Sequence, residues 1–370
     1  MSTLHLGLEG IAVAESKISS VNGEKGELIY RGYWAEELVR DHCLEEIVYL
    51  LWYGDLPNPE QSKTFKAVLA EKRALPDYIK KIIDTLPKTM PPMSVLRTAI
   101  SALQVPGESW PPTIEQAMEI FAKAPTIVAY YYNFIHSKPQ HEPDKNLGHT
   151  ANYLYMLQDE KPTAVKVKAL DTYLMLSLDH DINASTFTAR VVTSTRSDIV
   201  SAITAAIGAL IGPLHGGAPS KVDDMLDAIG SKENAEKWIR EQLEKGERLM
   251  GFGHRVYKTY DPRAAALRHL TQEIADYDLL LQLSLDVEKI AVPLLEEYKP
   301  GRKLYPNVEF WAAAIMRTVK LPRELYTPTF CISRIAGWSG QIIEQAENNR
   351  LIRPSCIYIG KRPTTPSHHQ

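Results

Sequence analysis

Apolar residues recur along most of this chain at the three- and four-residue spacing of a helix face, with one exception near the start. There, Ser16-Lys-Ile-Ser-Ser-Val21 and Glu27-Leu-Ile-Tyr-Arg31 alternate apolar and polar positions around Asn22-Gly-Glu-Lys-Gly26. A period of two on either side of a glycine turn predicts a short β-hairpin. Over 44–52, Leu44, Ile47, Val48 and Leu51 share a helix face that Gly54 ends. Asn58-Pro59-Glu60 supplies a cap and a first-turn proline for the next helix, and Leu75-Pro76-Asp77 repeats the proline signal. Proline-rich stretches at 105–112 and 138–143 mark loops. The apolar run over 163–178 predicts a buried helix leading to His180. Over 197–211, Ile199, Val200, Ile203, Ile207 and Leu210 form a broad stripe, and alanines fill much of the rest. Small residues let helices approach closely, so this segment is expected at the centre or at a subunit interface. Gly212-Pro213 ends it, and a helix with Val222, Met225, Leu226 and Ile229 runs to Gly230. Further helices are predicted at about 233–249, 263–275, 278–297, 308–319 and 328–347. No repeat is visible and no strands are expected beyond the hairpin, so the fold class is all-α.

At 370 residues the chain is long enough for two or three domains. Its 44% hydrophobic and 24% charged content is ordinary for a globular protein. A formal charge of −3 gives no basic surplus, which argues against nucleic acid or an anionic membrane as partner. The three cysteines, Cys43, Cys331 and Cys356, lack Cys-x-x-Cys spacing, so neither a disulfide framework nor a zinc knuckle is expected. The first residues lack a basic and apolar leader pattern, and no apolar run reaches membrane-span length. The expected place is the cytoplasm.

Two histidines sit in glycine-bounded turns: His215 in Gly212-Pro-Leu-His-Gly-Gly-Ala218 and His254 in Gly251-Phe-Gly-His-Arg-Val-Tyr257. Each suits a helix cap or polar corner, yet glycines on both sides are expected to clear space for a ligand. Imidazole can donate a proton or polarise a carbonyl near neutral pH. No His-Glu-x-x-His spacing accompanies them, and His136 and His141 lie in a Lys-Pro-Gln loop expected to be solvated, so no metal site is predicted. His180 ends an apolar helix in Asp179-His-Asp-Ile-Asn-Ala-Ser-Thr186, where Asp181, Asn183 or Ser185 can cap the next. Arg263 follows Asp261-Pro262, and Arg353 precedes Pro354. Arg334 has apolar helix neighbours in Cys331, Ile332, Ile335 and Ala336, so its guanidinium needs an anion if buried. A planar fork suits a carboxylate, and three arginines suit a dicarboxylate. Glu309, in Tyr305-Pro-Asn-Val-Glu309, either favours a helix dipole or acts as a general base.

Taken in order, these motifs resemble the citrate synthase family. The likeness extends from Gly23-Glu-Lys-Gly-Glu-Leu-Ile-Tyr-Arg-Gly32 through both histidine turns, Asp-Pro-Arg and Tyr-Pro-Asn-Val-Glu to the closing Arg-Pro. The resemblance implies a two-domain helical fold, closing on a cleft and working as a homodimer. It implies condensation of acetyl-CoA with oxaloacetate and hydrolysis of the thioester, with no metal or redox cofactor. Carried over, position 309 takes a methyl proton, His215 stabilises the enol or enolate, and His254 polarises the ketone. His180, Arg263, Arg334 and Arg353 match oxaloacetate-binding positions, the last reaching in from the other subunit. Arg255 and Lys258, just beyond His254, suit either CoA phosphates or a solvated surface. Domains are expected at 1–215 plus 325–370 and at 216–324.

One departure stands out. The family usually has aspartate where this chain has Glu309, and Phe310-Trp-Ala-Ala-Ala314 lacks the Ser-Gly pair often found there. The extra methylene moves the carboxylate unless backbone or rotamer compensates. A shift of about 1 Å can cost on the order of 100-fold in rate, so an active but slow or specialised enzyme is expected. Propionyl-CoA in place of acetyl-CoA, as in 2-methylcitrate synthase, is the nearest rival. A noncatalytic dicarboxylate-binding regulator is the more distant one.

Overall fold

The period-two segments pair as expected. In the computed structural model, which describes residues 4–215, 219–254, 256–275 and 278–361, β1 (Ser19–Asn22) lies antiparallel to β2 (Glu27–Tyr30), with Ser19 opposite Tyr30. A third short strand, β3 (Tyr33–Trp34), pairs with β2, so the sheet is one strand wider than the hairpin alone. Arg31 and Gly32, at φ 48° and 91°, reverse the chain at once.

Everything else regular is helical: sixteen α-helices among the described residues. They are α1 (Ala35–Asp41), α2 (Leu44–Tyr53), α3 (Pro59–Glu71), α4 (Asp77–Thr85), α5 (Pro92–Ser101), α6 (Ile114–Ile135), α7 (His149–Gln158) and α8 (Ala164–Ser177). Then come α9 (Ala184–Ser194), α10 (Ile199–Leu210), α11 (Pro219–Ile229), α12 (Lys232–Glu244), α13 (Pro262–Ile274), α14 (Leu279–Tyr298), α15 (Val308–Thr318) and α16 (Tyr326–Glu347). The local signals act as their chemistry requires. Gly54 ends α2 at φ 95°, and Asn58 and Gln61 cap α3 reciprocally. Asn183, Asp261 and Asn307 accept main-chain N–H groups at the starts of α9, α13 and α15. α12 stops five residues short of the predicted end, because Gly246 turns left-handed at φ 78°. His136 is exposed, as expected, and pairs with Glu324, whereas His141 is half-buried and pairs with Asp159.

Helix α16 packs against α2, α5, α6, α8, α9 and α10, while α11 to α15 pack chiefly on one another. The second group meets the first where α13 and α15 touch α8, α13 touches α1, and α11 touches α16. Arg323 holds the approach to α16 onto α11 through Asp223, Asp224 and Asp227. Gly337 sets the closest approach in the core. A Cβ there would lie 2.0 Å from the Leu178 carbonyl oxygen, so α16 presses directly on the end of α8, next to His180. No helix among the described residues is long and apolar enough to cross a membrane.

A buried acidic pair joins α2 to α7 and α8. Asp171 accepts from Leu44 N and Thr150 Oγ1, and Glu45 accepts from His149 N at 2.7 Å. Burial, then the charge of Glu45, pushes the Asp171 carboxyl up to about 7; Lys168 opposes this weakly. The folded state therefore holds a proton that the unfolded chain releases near pH 3.9, and stability falls as pH rises between those values. Denaturant titrations should show Asp171→Asn losing less stability than wild type between pH 5 and pH 8, by about 2–3 kcal/mol. Parallel pH curves would refute the assignment.

Candidate active site

The junctions of α8 with α9, α10 with α11, and the loops before α13 and α15 converge on a cavity of about 200 Å³. Its lining includes His180, His215, His254, Arg263, Glu309 and Arg334. Six of the seven positions expected to catalyse or hold the oxo acid are thus brought together within one chain.

His254 is held by its own loop: Val256 N and Tyr257 N both donate to its Nδ1 at 3.1 Å. With Nδ1 accepting, a neutral ring carries its proton on Nε2. Burial, then the Arg263 charge, pushes this imidazole down to about 4, so it is neutral at pH 7. Its Nε2 lies 3.3 Å from Arg263 Nη2. A guanidinium nitrogen cannot accept, so two donors face one point, which suits an oxygen bearing negative charge. Arg263 itself is buried and paired with Asp261 through Nε and Nη2, at 3.0 and 2.8 Å. Asp261 also accepts Arg263 N at the start of α13, so capping the helix and aiming the arginine are one act.

Arg334 differs. It is 3% exposed, and its Nε donates to Ser177 O at 2.9 Å. Its guanidinium carbon sits 4.5 Å from the centre of the Phe330 ring. Its terminal nitrogens have no hydrogen-bond or ion-pair partner among the described residues. Asp179, whose charge favours the Arg334 cation, is buried in the same core; its Oδ2 accepts from Ser19 Oγ and Gln341 Nε2, its Oδ1 has no hydrogen-bond partner among the described residues, and burial raises its pKa. A buried cation left this way lowers the free energy of any anion that reaches it.

Glu309 lies one turn before Ala312 on α15, and both line the cavity. Its carboxylate has no hydrogen-bond or ion-pair partner among the described residues. Burial raises its pKa, with Arg263 opposing and Asp261 adding. A carboxylate without donors is a stronger base than a solvated one. His215 Nε2 is 2.8 Å from Ser185 Oγ, and burial followed by Arg334 pushes the ring down to about 4. Ser185 has one hydrogen and two acceptors in reach, His215 Nε2 and Asn183 Oδ1 (2.8 Å), while Trp338 Nε1 donates to it. The hydroxyl hydrogen thus decides which nitrogen of His215 carries the proton.

His180 Nε2 is 3.1 Å from the Tyr257 hydroxyl, and burial, then Arg263, keeps the ring well below its ordinary pKa. Tyr257, Asp261 and Ser185 were not picked out as site residues from the sequence. In the sequence Ser185 stands out only as a possible cap and Asp261 only as the residue two before Arg263, whereas Tyr257 meets His180 across 77 residues and Ser185 meets His215 across 30. Arg353 is exposed and lies outside this cavity in its own chain. Ile352 N bonds Ser194 Oγ at 3.0 Å, which fixes that segment at the far end of α9. Lys258 is exposed, and Arg255 lies outside the described residues. Among the described residues no three His, Cys, Asp or Glu side chains group as metal ligands. The glycines beside His254 need a different explanation from the expected one. Gly251 and Gly253 have φ of 80° and 82°, and added Cβ atoms would meet Phe310 Cβ at 2.8 Å and Leu304 Cδ2 at 2.9 Å. They permit a left-handed turn packed on its neighbours rather than clearing space for a ligand.

Residues 7–355 match the family described as citrate synthase, C-terminal domain. The chain is 42% identical over 371 residues to a citrate synthase of Haloferax volcanii, covering 97% of this chain and 96% of that one. It is 36% identical to a 2-methylcitrate synthase of Shewanella oneidensis, covering 96% and 95%. Among solved structures it is similar to citrate synthase from Thermoplasma acidophilum in ternary complex with carboxymethyl coenzyme A and oxaloacetate. That likeness has a TM-score of 0.88 at 30% identity and covers 99% of each chain.

Proposed function

This chain belongs to the citrate synthase family, and from that premise we infer that it condenses acetyl-CoA with oxaloacetate and hydrolyses the resulting thioester, releasing citrate and CoA. The observation that carries the reading is one cavity holding an unpaired carboxylate, three imidazoles kept neutral by burial and a buried guanidinium with its terminal nitrogens unpaired. Glu309 removes a proton from the acetyl methyl group. A thioester α-proton is weakly acidic, so negative charge on the forming enolate oxygen must be met as it develops. His215 meets it from Nδ1 when Ser185 gives its hydrogen to Nε2. The nucleophilic carbon then attacks the ketone carbon of oxaloacetate, whose oxygen receives the Nε2 proton of His254. Water cleaves the citryl thioester, and the thiol leaves as CoA.

Arg263, Arg334 and His180 hold oxaloacetate, and Arg353 of a second copy completes its site in a homodimer. Lys258 and Arg255 suit the phosphates of CoA. We place the hinge so that 216–324 closes as one body on 1–215 plus 325–370. The packing of α11 to α15 on one another and the Arg323 anchor on α11 support that division. Closure keeps water from the enolate. An enzyme working on two free metabolites fits the cytoplasm.

Thiol release measured with purified protein tests the reading. CoA should appear with acetyl-CoA plus oxaloacetate and not with acetyl-CoA alone. No release in either case would make this a dicarboxylate-binding regulator, and release without oxaloacetate would mean that the thioester is cleaved without the condensation assigned here. Propionyl-CoA should react about tenfold or more slowly, since one methylene in a pocket is worth about 1–3 kcal/mol and Glu309 already adds one beside the acyl group. Equal or faster reaction with propionyl-CoA would assign 2-methylcitrate synthesis instead.

A further inference from the structure

The loop that carries His254 is gripped from behind as well as from the cavity. Val256 N and Tyr257 N point inward onto His254 Nδ1. On the opposite side, Lys258 N donates to Gly23 O at 2.9 Å, in the turn between β1 and β2. A Cβ at Gly23 would lie 2.2 Å from Val256 O, and one at Gly26 would lie 2.6 Å from Tyr260 O. Both obstacles are main-chain atoms, which cannot rotate aside as a side chain would. Gly26 has a φ of 70° that the turn alone explains, but Gly23 has no left-handed φ. Nothing in the turn's own geometry calls for glycine at 23; the contact with Val256 does.

We propose that the N-terminal hairpin turn is a positioning element for His254. Docking of Gly23 onto Val256 sets the two main-chain donors that keep the His254 proton on Nε2, where the ketone oxygen needs it. Hairpin and loop are more than 200 residues apart and fall on opposite sides of the proposed hinge, so the same contact registers closure of the cleft. The activity readout of this proposal rests on the reaction assigned above.

Gly23→Ala in the full-length protein is the test, with Gly32→Ala as control, since Gly32 has φ 91° and nothing within 4 Å of its added Cβ. Gly23→Ala should lower kcat by about 10- to 100-fold, with a smaller change in the KM for oxaloacetate and a melting temperature within a few degrees of wild type. Gly32→Ala should keep wild-type kcat. Amide exchange over 256–260 should be slow in wild type and faster in Gly23→Ala. Wild-type kcat in Gly23→Ala, or an equal fall in Gly32→Ala, overturns the proposal. Fast exchange of the Lys258 amide in wild type does the same whether or not the variant folds. If the wild-type protein releases no CoA, the assigned reaction fails, while the exchange measurement still decides the docking.

Discussion

Glu309→Gln lowers kcat by about three orders of magnitude and leaves oxaloacetate binding close to wild type: that is the expected result of removing the base while keeping its shape. Glutamine cannot accept the methyl proton, and no described residue donates to the carboxylate, so little structure is lost with the charge. Glu309→Asp is the more searching variant. The start of α15 is pinned, because Asn307 N donates to Gly251 O at 2.8 Å and Asn307 Nδ2 donates to Gly253 O at 2.8 Å. Gly251 is in turn packed on Phe310. The backbone cannot advance to follow a shorter side chain, so aspartate withdraws the carboxylate by about one bond. A shift of about 1 Å can cost on the order of 100-fold, and Glu309→Asp should turn over that much more slowly. Faster turnover would establish instead that the native glutamate is misplaced. Because burial raises the Glu309 pKa while both His215 and His254 are pushed to about 4, turnover should fall with decreasing pH as Glu309 takes up its proton. In steady-state profiles this acid limb should disappear in Glu309→Gln.

Arg334→Met is expected to move binding and stability in opposite directions. Loss of a bidentate, charge-assisted contact, at about 1.5–3 kcal/mol per hydrogen bond, should raise the KM for oxaloacetate by about 10² to 10⁴. The ligand-free protein should be as stable as wild type or more so, because methionine fills the volume without an uncompensated buried charge. Thermal melts with and without oxaloacetate check both halves at once. Wild type should gain melting temperature on binding, and the variant should gain little at the same concentration. A variant destabilised by several kcal/mol with an unchanged KM would mean that Arg334 is structural.

Much of this molecule is legible in the residues, and the limits have physical causes. Helices α2 and α10 announce themselves by period, α8 by its apolar run, and Asn58, Asn183 and Asn307 by capping chemistry. Helix α6 is buried on nearly every face and carries Pro125 within it, so it has no polar stripe to set the period and appears only as the gap between proline-rich loops. β3 is two residues long, too short for alternation to register. The cavity residues were found because turns, prolines and histidines leave local marks. Their partners were not, since the Tyr257 hydroxyl on His180 and Ser185 on His215 are products of packing between distant segments. The glycines around His254 were noticed for the right place and the wrong reason, because a sequence displays small size but not the sign of φ.

The Asp261–Arg263 pair has a further bearing on assembly. Because that guanidinium is already paired with a carboxylate in its own chain, Arg334 is, among the described residues, the cavity arginine whose terminal nitrogens are left without a partner. A solitary copy can therefore balance one carboxylate of a doubly charged oxo acid, and electroneutrality leaves the other to a cation supplied from outside the chain. Under the proposed homodimer, competence for such a substrate becomes a property of the pair rather than of the single polypeptide.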